Sequence, residues 1–595
     1  MAIPVCQLLY ASHAPPIASV LRDLDIVTYY NIKKIANNHN CGIISEHNAK
    51  ELVTIFDKLA DRRIVNAILA SKIVPVPASI HRHPKVLRTA TINHSLCDDT
   101  LQNSYIRTDA YNALYNYSKP IFINNKTCNA VQHGLYVQHA IIRPVHSVLV
   151  SDDDIKCCTS ITKLSIWRNT SITTCAPFAT SLRYLDISHL DSNWYDDALL
   201  CCNAIEELYA SSNKNITSCT PFAKTLRILH ADYECGINDD ALIMCSGIIE
   251  LHAIGNCKIT TCKPFAHTLK ILYADMYVDP IGRYIAERNC GITNDGLSLC
   301  TNIVALYATH NQKILTCVQF GNTLEILYTD RHSAITDNSL SSCTTIRKLM
   351  ARGNDKITTC APFANTLKIL IADTDYRYIP CGIADEGLSL CTAIEELSAV
   401  NNEKITTCAL FGHTLKMLNA TNRCGISDTG LTQCISIMEL TACNNPKITS
   451  CAPFARSLIT LHATGSCGIG DNGLKTCSRI KILNAGSNHK ITTCRPFAKS
   501  LRILDASCSC GITDAGLELC YDINDLDASH NPNITTCIPF AKSLKSLTAY
   551  GATCGISNKS LQLCTTLMSI AADNNTKIDR KYIIMCEYKT HNSQK

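Results

Sequence analysis

The sequence lacks the features that mark several large classes of protein. Charged residues make up only 18% of the 595-residue chain, its net charge is +5, and no run of Lys and Arg indicates a nucleic-acid-binding surface. No stretch approaches the roughly 18 consecutive apolar residues of a membrane-spanning helix. No phosphate-binding loop, HExxH motif or nucleophile elbow is present. We therefore expect no nucleic acid, no membrane, no enzymatic activity and no cofactor.

A secretory signal is also missing from the sequence. Residues 1–25 contain neither a basic segment nor a sustained apolar core. This predicts a cytoplasmic protein, and in that compartment its 36 cysteines are expected to stay reduced.

What the sequence does contain is an internal repeat. A stretch close to ITTC-x-PFA recurs nine times, and five of the eight intervals between its cysteines are 43 residues long. Longer intervals contain insertions near 276–287 and 375–380. Each unit divides into two halves of 21 and 22 residues, and both halves read L-x-x-L-x-A with an Ile at the twelfth place, a spacing typical of leucine-rich repeats.

The ninth place of the first half is always asparagine. A buried Asn side chain offers two donors and an acceptor, so a stack of them can pair backbone groups in the turns of adjacent coils. This structural ladder comprises Asn169, Asn213, Asn256, Asn311, Asn354, Asn402, Asn445, Asn488, Asn531 and Asn575. Ten first halves and nine second halves predict about nineteen coils.

The second half carries the clearest resemblance to a known family. CGITDAGLELC (510–520) resembles the cysteine-containing subtype of leucine-rich repeats, which is familiar from F-box substrate receptors of ubiquitin ligases. The resemblance covers about 160–580, although the repeats here are shorter and alternate with the Asn type. The Cys- and Asn-rich array is also similar to repeat proteins of protists and of large DNA viruses of amoebae. A viral origin implies the host cytoplasm.

These observations predict an α/β repeat fold. We expect a right-handed leucine-rich-repeat solenoid, a horseshoe or arc with parallel strands on its concave side and short helices or 3₁₀ turns on its convex side. The solenoid is predicted over 139–580, with a degenerate cap at 139–160. A small helical region at 1–75, an ambiguous region at 76–138 and a tail at 581–595 complete the chain.

Nine of the eleven phenylalanines occupy the eighteenth place of the first half, where they predict a column in the core. They are Phe178, Phe222, Phe265, Phe320, Phe363, Phe411, Phe454, Phe497 and Phe540.

Three columns hold 26 of the cysteines: nine at TTC, ten ending LC and seven preceding GI. Cysteines of one column lie two coils apart, roughly 10 Å, which exceeds the ~7 Å Cα separation that a disulfide permits. A single column also cannot converge four ligands on a zinc ion. The cysteines are therefore predicted to be small core residues that hold no metal, and the CC pairs at 157–158 and 201–202 to be incidental.

The outward places of the strands suggest where a protein partner binds. At the fifth place of successive coils stand Tyr209, His230, His252, Tyr273, Tyr307, Tyr328 and Met350. Two places later the second halves carry Asp232, Asp275, Asp330 and Asp373. Aromatic side chains with adjacent acids are suited to a contact surface on the concave face. Stacked aromatics that only stabilise neighbouring strands are the alternative.

The N-terminal region offers a second functional hypothesis. Residues 48–73 have helical apolar spacing, and VLRDLDIVTYYNI (20–32) resembles the middle of an F-box. This implies a substrate receptor that docks a ubiquitin-ligase adaptor through residues 1–75; a helical cap on the solenoid is the simpler interpretation.

Overall fold

The computed structural model describes residues 121–123, 139–142, 151–156, 159, 161–166, 171–189, 193–276, 289–375 and 379–579. These form two compact units. Unit 1 contains the described residues up to Tyr273 together with residues 289–297, and unit 2 contains Ala274–Met276 and the described residues from Ser298 onward.

Each coil begins with a short strand whose central residue, usually Leu, points inward. In unit 1 the strands are β1 (Ile121–Ile123), β2 (His139–Ile142), β3 (Lys163–Ile166), β4 (Tyr184–Asp186), β5 (Glu207–Tyr209), β6 (Ile228–His230), β7 (Glu250–His252) and β8 (Ile271–Tyr273). Every strand from β1 to β8 pairs in parallel with the next one in this unit. The central leucines from β3 onward, such as Leu208 and Leu229, are fully buried.

Unit 2 repeats the arrangement. Its strands are β9 (Ala305–Tyr307), β10 (Ile326–Tyr328), β11 (Lys348–Met350), β12 (Ile369–Ile371), β13 (Glu396–Ser398), β14 (Met417–Asn419), β15 (Glu439–Thr441), β16 (Thr460–His462), β17 (Ile482–Asn484), β18 (Ile503–Asp505), β19 (Asp525–Asp527), β20 (Ser546–Thr548) and β21 (Ser569–Ala571). Each again pairs in parallel with its neighbour. The strands β3 to β21 match the nineteen repeats counted in the sequence.

The return segments are single turns of helix, which confirms the predicted alternation of strands with short helices or 3₁₀ turns. The α-helical turns are α1 (Asp152–Ile155), α2 (Asp196–Leu199), α3 (Asp239–Leu242), α4 (Asp471–Leu474), α5 (Asp514–Leu517) and α6 (Asn558–Leu561). Other second halves form 3₁₀ turns at Asp295–Leu297, Asn338–Leu340, Glu386–Leu388 and Thr429–Leu431.

The nine first halves whose return segments the structure describes each pass through a 3₁₀ turn that ends on the repeated phenylalanine. These turns are Ala176–Phe178, Thr220–Phe222, Lys263–Phe265, Val318–Phe320, Ala361–Phe363, Ala409–Phe411, Ala452–Phe454, Arg495–Phe497 and Ile538–Phe540. The backbone N–H groups of a first helical turn have no acceptor inside the helix, so the proline of PF removes no hydrogen bond there. All nine phenylalanines are at most 2% exposed, and they fill the interior of the coils.

The asparagines at the ninth place bond the turns of successive coils. The Asn256 amide donates to the Ala231 carbonyl at 2.7 Å, and its Oδ1 accepts from the Lys258 backbone N–H at 2.9 Å. The same amide-to-carbonyl bond recurs at Asn311, Asn402, Asn445, Asn488, Asn531 and Asn575. Asn213 donates to the Ile187 carbonyl and Asn354 to the Thr329 hydroxyl, whereas Asn169 lies outside the described residues.

The Asp that begins these helical turns also bonds the next coil. In α5, Asp514 is the first helical residue and Thr513 precedes it, although the Thr513 side chain forms no capping bond. The Asp carboxylate bonds the turn of the next coil: in the segment IND, Asp239 accepts from the Thr260 N–H at 2.8 Å and from the Thr260 hydroxyl at 2.6 Å. We call this bonding of an Asp carboxylate to the next coil the Asp clasp. It is also formed by Asp152, Asp196, Asp337, Asp385, Asp428, Asp471 and Asp514.

We expect Asp239→Ala to lower the free energy of unfolding by about 1–3 kcal/mol, because hydrogen bonds to a charged group are lost and backbone donors of the next coil lose their acceptor. Urea-induced unfolding followed by circular dichroism measures the change. Asp240→Ala is the matched control, since that side chain is exposed in the same helical turn. Equal effects of the two substitutions would contradict the Asp clasp.

The cysteines are largely buried, but the expectation about their pairing needs correction. Cys175 of the TTC column and Cys202 of the LC column form a disulfide, so the CC pair at 201–202 is not incidental. The thiols of Cys219 and Cys245 are hydrogen bonded across the same two columns. That bond raises the pKa of Cys219 well above its ordinary value, and burial adds to the effect. Comparison within single columns missed these contacts, because neighbouring coils bring different columns together.

Candidate functional site

Four aromatic rings form a stack on the outward face of unit 1. Tyr209, His230, His252 and Tyr273 end β5, β6, β7 and β8, and the parallel register places each beside the next. They point outward because successive strand residues alternate and the leucine before each one points into the core. Ring centroids are 3.9, 3.6 and 3.9 Å apart along the series, and all three pairs are stacked. We call these four residues the aromatic column.

Two members of the aromatic column have shifted pKa values. Burial, with a smaller contribution from His252, lowers the pKa of His230 to about 3, so its imidazole is neutral near pH 7. Burial, followed by the charge of Glu207, raises the pKa of Tyr209 and keeps its hydroxyl protonated. All four rings are partly exposed.

Unit 2 has an outward series of its own. Tyr307 and Tyr328 lie side by side on β9 and β10 with their ring centroids 4.5 Å apart. Met350 and Ile371 continue the same outward position on β11 and β12. The Lys348 ammonium lies 5.3 Å from the centre of the Tyr328 ring, a cation–π contact.

The four acids are occupied by intramolecular bonds. Asp232 accepts from the Ile254 N–H at 2.8 Å, and Asp275 accepts from the Thr309 N–H at 2.6 Å. Burial raises the pKa of both carboxyls. These bonds hold the turn of the next coil, a role that the sequence did not reveal.

The other two acids also act within unit 2. Asp330 pairs with the His310 Nδ1 at 2.6 Å, and Asp373 accepts from the Arg352 guanidinium at 3.0 Å and from the Ser398 hydroxyl at 2.6 Å. Asp232, Asp330 and Asp373 are at most 9% exposed, and Asp275 is partly buried. Their internal bonds leave these carboxylates little surface for a basic partner, so a contact role for the acids stays a prediction from the sequence.

Sequence reasoning missed Glu250, which lies beside the aromatic column. Its Oε1 is 2.8 Å from the Nε2 of His252. Glu250 occupies the third place of its coil, which also points outward. Only the fifth and seventh places were used to predict the contact surface. His230, Glu250 and His252 each offer a ligand atom, and these atoms lie within 4.8 Å of one another.

Several sequence predictions fall on residues that the structure does not describe. The F-box-like segment 20–32 and the whole of 1–75 lie outside the described residues, as does most of the 276–287 insertion. Among the helices that are described, none combines the length and apolar character needed to cross a bilayer.

The repeating coils of parallel strands and single helical turns, with the asparagine ladder and buried cysteines, define a cysteine-rich leucine-rich-repeat fold. No family model matches the chain, and no curated protein sequence matches it. One similar solved structure is described as "Functional domain of InlJ from Listeria monocytogenes includes a cysteine ladder". It is 13% identical, covers 68% of this chain and 72% of its own, and has a TM-score of 0.31. The assignment of the fold therefore rests on the geometry of this chain.

Proposed function

We propose that this protein is a non-enzymatic scaffold that binds a protein partner on the outward strand face, with the aromatic column as the centre of the contact. The observation that carries the proposal is the continuous stack of partly exposed rings from Tyr209 to Tyr273. Tyrosine provides a large apolar area and a polar tip, and it is enriched among residues that dominate binding energy.

The stacking also reduces the entropic cost of association. Each ring is held between its neighbours in the free protein, so fewer side-chain rotamers are lost when a partner binds. Tyr307, Tyr328 and Met350 provide a comparable outward surface in unit 2. Because the four acids are internally bonded, the proposed contact is mainly aromatic and apolar, and electrostatic attraction to a basic partner contributes little.

The experiment is affinity purification of the full-length chain with mass spectrometry, followed by calorimetric titration of the recovered partner. We expect Tyr209→Ala combined with Tyr273→Ala to weaken binding at least about 30-fold, which corresponds to roughly 2 kcal/mol for loss of a dominant contact. Urea unfolding of the same variant measures any loss of stability.

Two further variants separate binding from strand stabilisation. Tyr273→Phe keeps the stacked ring and should retain most of the affinity, while Tyr521→Ala removes an exposed ring outside the strands and should have no effect. A double alanine variant that is less stable but binds with unchanged affinity would mean that the column only stabilises the strands. The ubiquitin-ligase alternative stays a prediction from the sequence of residues 1–75, and recovery of a ligase adaptor in the purification would support it.

A further inference from the structure

Two histidines and one glutamate converge on the outward face of unit 1. His230 and His252 are direct neighbours in the register of β6 and β7, and Glu250 lies two residues before His252 on the same side of β7. The three ligand atoms lie within 4.8 Å of one another, and His252 Nε2 is 2.8 Å from Glu250 Oε1.

We propose that His230, Glu250 and His252 form a binding site for a divalent transition-metal ion, with Zn²⁺ as the best match. Two imidazoles and one carboxylate are a recognised zinc donor set that leaves a fourth position open for water or another ligand. Zinc–ligand bonds of about 2.0–2.2 Å place tetrahedral ligand atoms roughly 3.4 Å apart. The ligand atoms lie within 4.8 Å of one another, and bringing both imidazole nitrogens to one ion requires the stacked His230 and His252 rings to tilt apart.

The surroundings of the three side chains also suit a cation. Glu250 contributes the negative charge that offsets a dication. Tyr209 stacks on His230 and Tyr273 on His252, so each imidazole has an aromatic neighbour on its outer side.

A second carboxylate lies close by but is already bonded. Asp232, two residues beyond His230, is buried and accepts from the Ile254 N–H at 2.8 Å, so coordination is left to the other three residues.

The test uses the full-length protein and the metal alone. Zn²⁺ is titrated in competition with a chromophoric chelator, and Co²⁺ provides a spectroscopic probe that separates nitrogen and oxygen ligands from thiolates by its sulfur charge-transfer band. We expect one equivalent to bind without that band. His252→Ala should weaken this equivalent by at least about 100-fold, because loss of a direct ligand exceeds the roughly 10–100-fold cost of losing a ligand's hydrogen-bond partner.

The variants are chosen to isolate the site. Glu250→Gln keeps the size of the side chain but removes the charge, and it should also weaken the bound equivalent. His462→Ala is the matched control, since His462 ends β16 between Thr441 and Asn484 and has no second histidine beside it in the register. Urea unfolding in the absence of metal checks that each variant is folded.

Three results would overturn the proposal: identical zinc affinity in wild type, His252→Ala and Glu250→Gln; equal losses in His462→Ala; or a cobalt spectrum in which thiolates account for all the bound metal. No partner protein is needed for this titration. The metal site and the proposed scaffold function can therefore fail independently.

Discussion

Arg331→Met is expected to lower the free energy of unfolding by about 3–5 kcal/mol, because it removes one charge of a buried ion pair and keeps the other, the Asp375 carboxylate. The Arg331 guanidinium and the Asp375 carboxylate form an ion pair in which both side chains are at most 6% exposed. The pair lies in the turns that follow β10 and β12, so its loss also removes a connection between non-adjacent strands. Urea unfolding of the full-length protein measures the effect.

A second variant separates the buried charge from the loss of contact. Arg331→Met combined with Asp375→Leu removes both charges, and replacing a whole buried pair with apolar residues is often neutral. We expect the double variant to regain most of the lost stability. Arg347→Met is the surface control, because its partner Glu325 is about half exposed and such pairs contribute little. A double variant as unstable as Arg331→Met would show that the buried charge is not the cause.

Asn445→Ala is expected to cost about 3 kcal/mol or more. The substitution removes the amide bond to the Ala420 carbonyl at 2.8 Å and the acceptor of the Lys447 N–H at 2.9 Å. Asn445 is fully buried, so the Ala420 carbonyl loses its partner in the interior, and the Lys447 N–H loses its acceptor at a partly buried position. An unsatisfied buried polar group costs about 1–3 kcal/mol, and at least two groups are affected here.

The effect of Asn445→Ala should be local, because each repeat contacts mainly its neighbours. Hydrogen exchange followed by mass spectrometry should show lost protection first in the peptides around Ala420 and Lys447. The control is Asn444→Gly at the preceding residue, which is exposed and has a φ of 55° that glycine adopts without strain. It should be nearly neutral. Comparable losses of protection in the two variants would contradict the ladder.

The fold was largely predictable because its determinants are local and repeated. The L-x-x-L-x-A spacing predicts a short strand with one inward leucine, and the strands from β3 to β21 recur with that spacing in successive coils. In a repeat array the same nearest-neighbour contacts recur, so one correctly interpreted coil largely determines the others. The burial of the phenylalanine column follows from the same periodicity.

The partners of the polar residues were less predictable, because they depend on the alignment of one coil with the next. The sequence did not reveal that Asp239 bonds Thr260 twenty-one residues later. Cysteines were compared within columns, yet Cys175 pairs with Cys202 in a different column. The sequence gives the position of each residue within a coil, but the lateral offset between coils depends on how their interiors pack.

On the outward face, too, the sequence determines positions and the tertiary structure determines partners. The amino-acid sequence by itself determined which residues occupy the outward strand places, since alternation along a strand depends only on chain geometry. Only the tertiary structure decided that Asp232 is bonded inside the molecule while Glu250 lies beside His252. The reason is physical: an outward side chain is available to a ligand only when the adjacent turn leaves its polar atoms free, and that turn belongs to another coil.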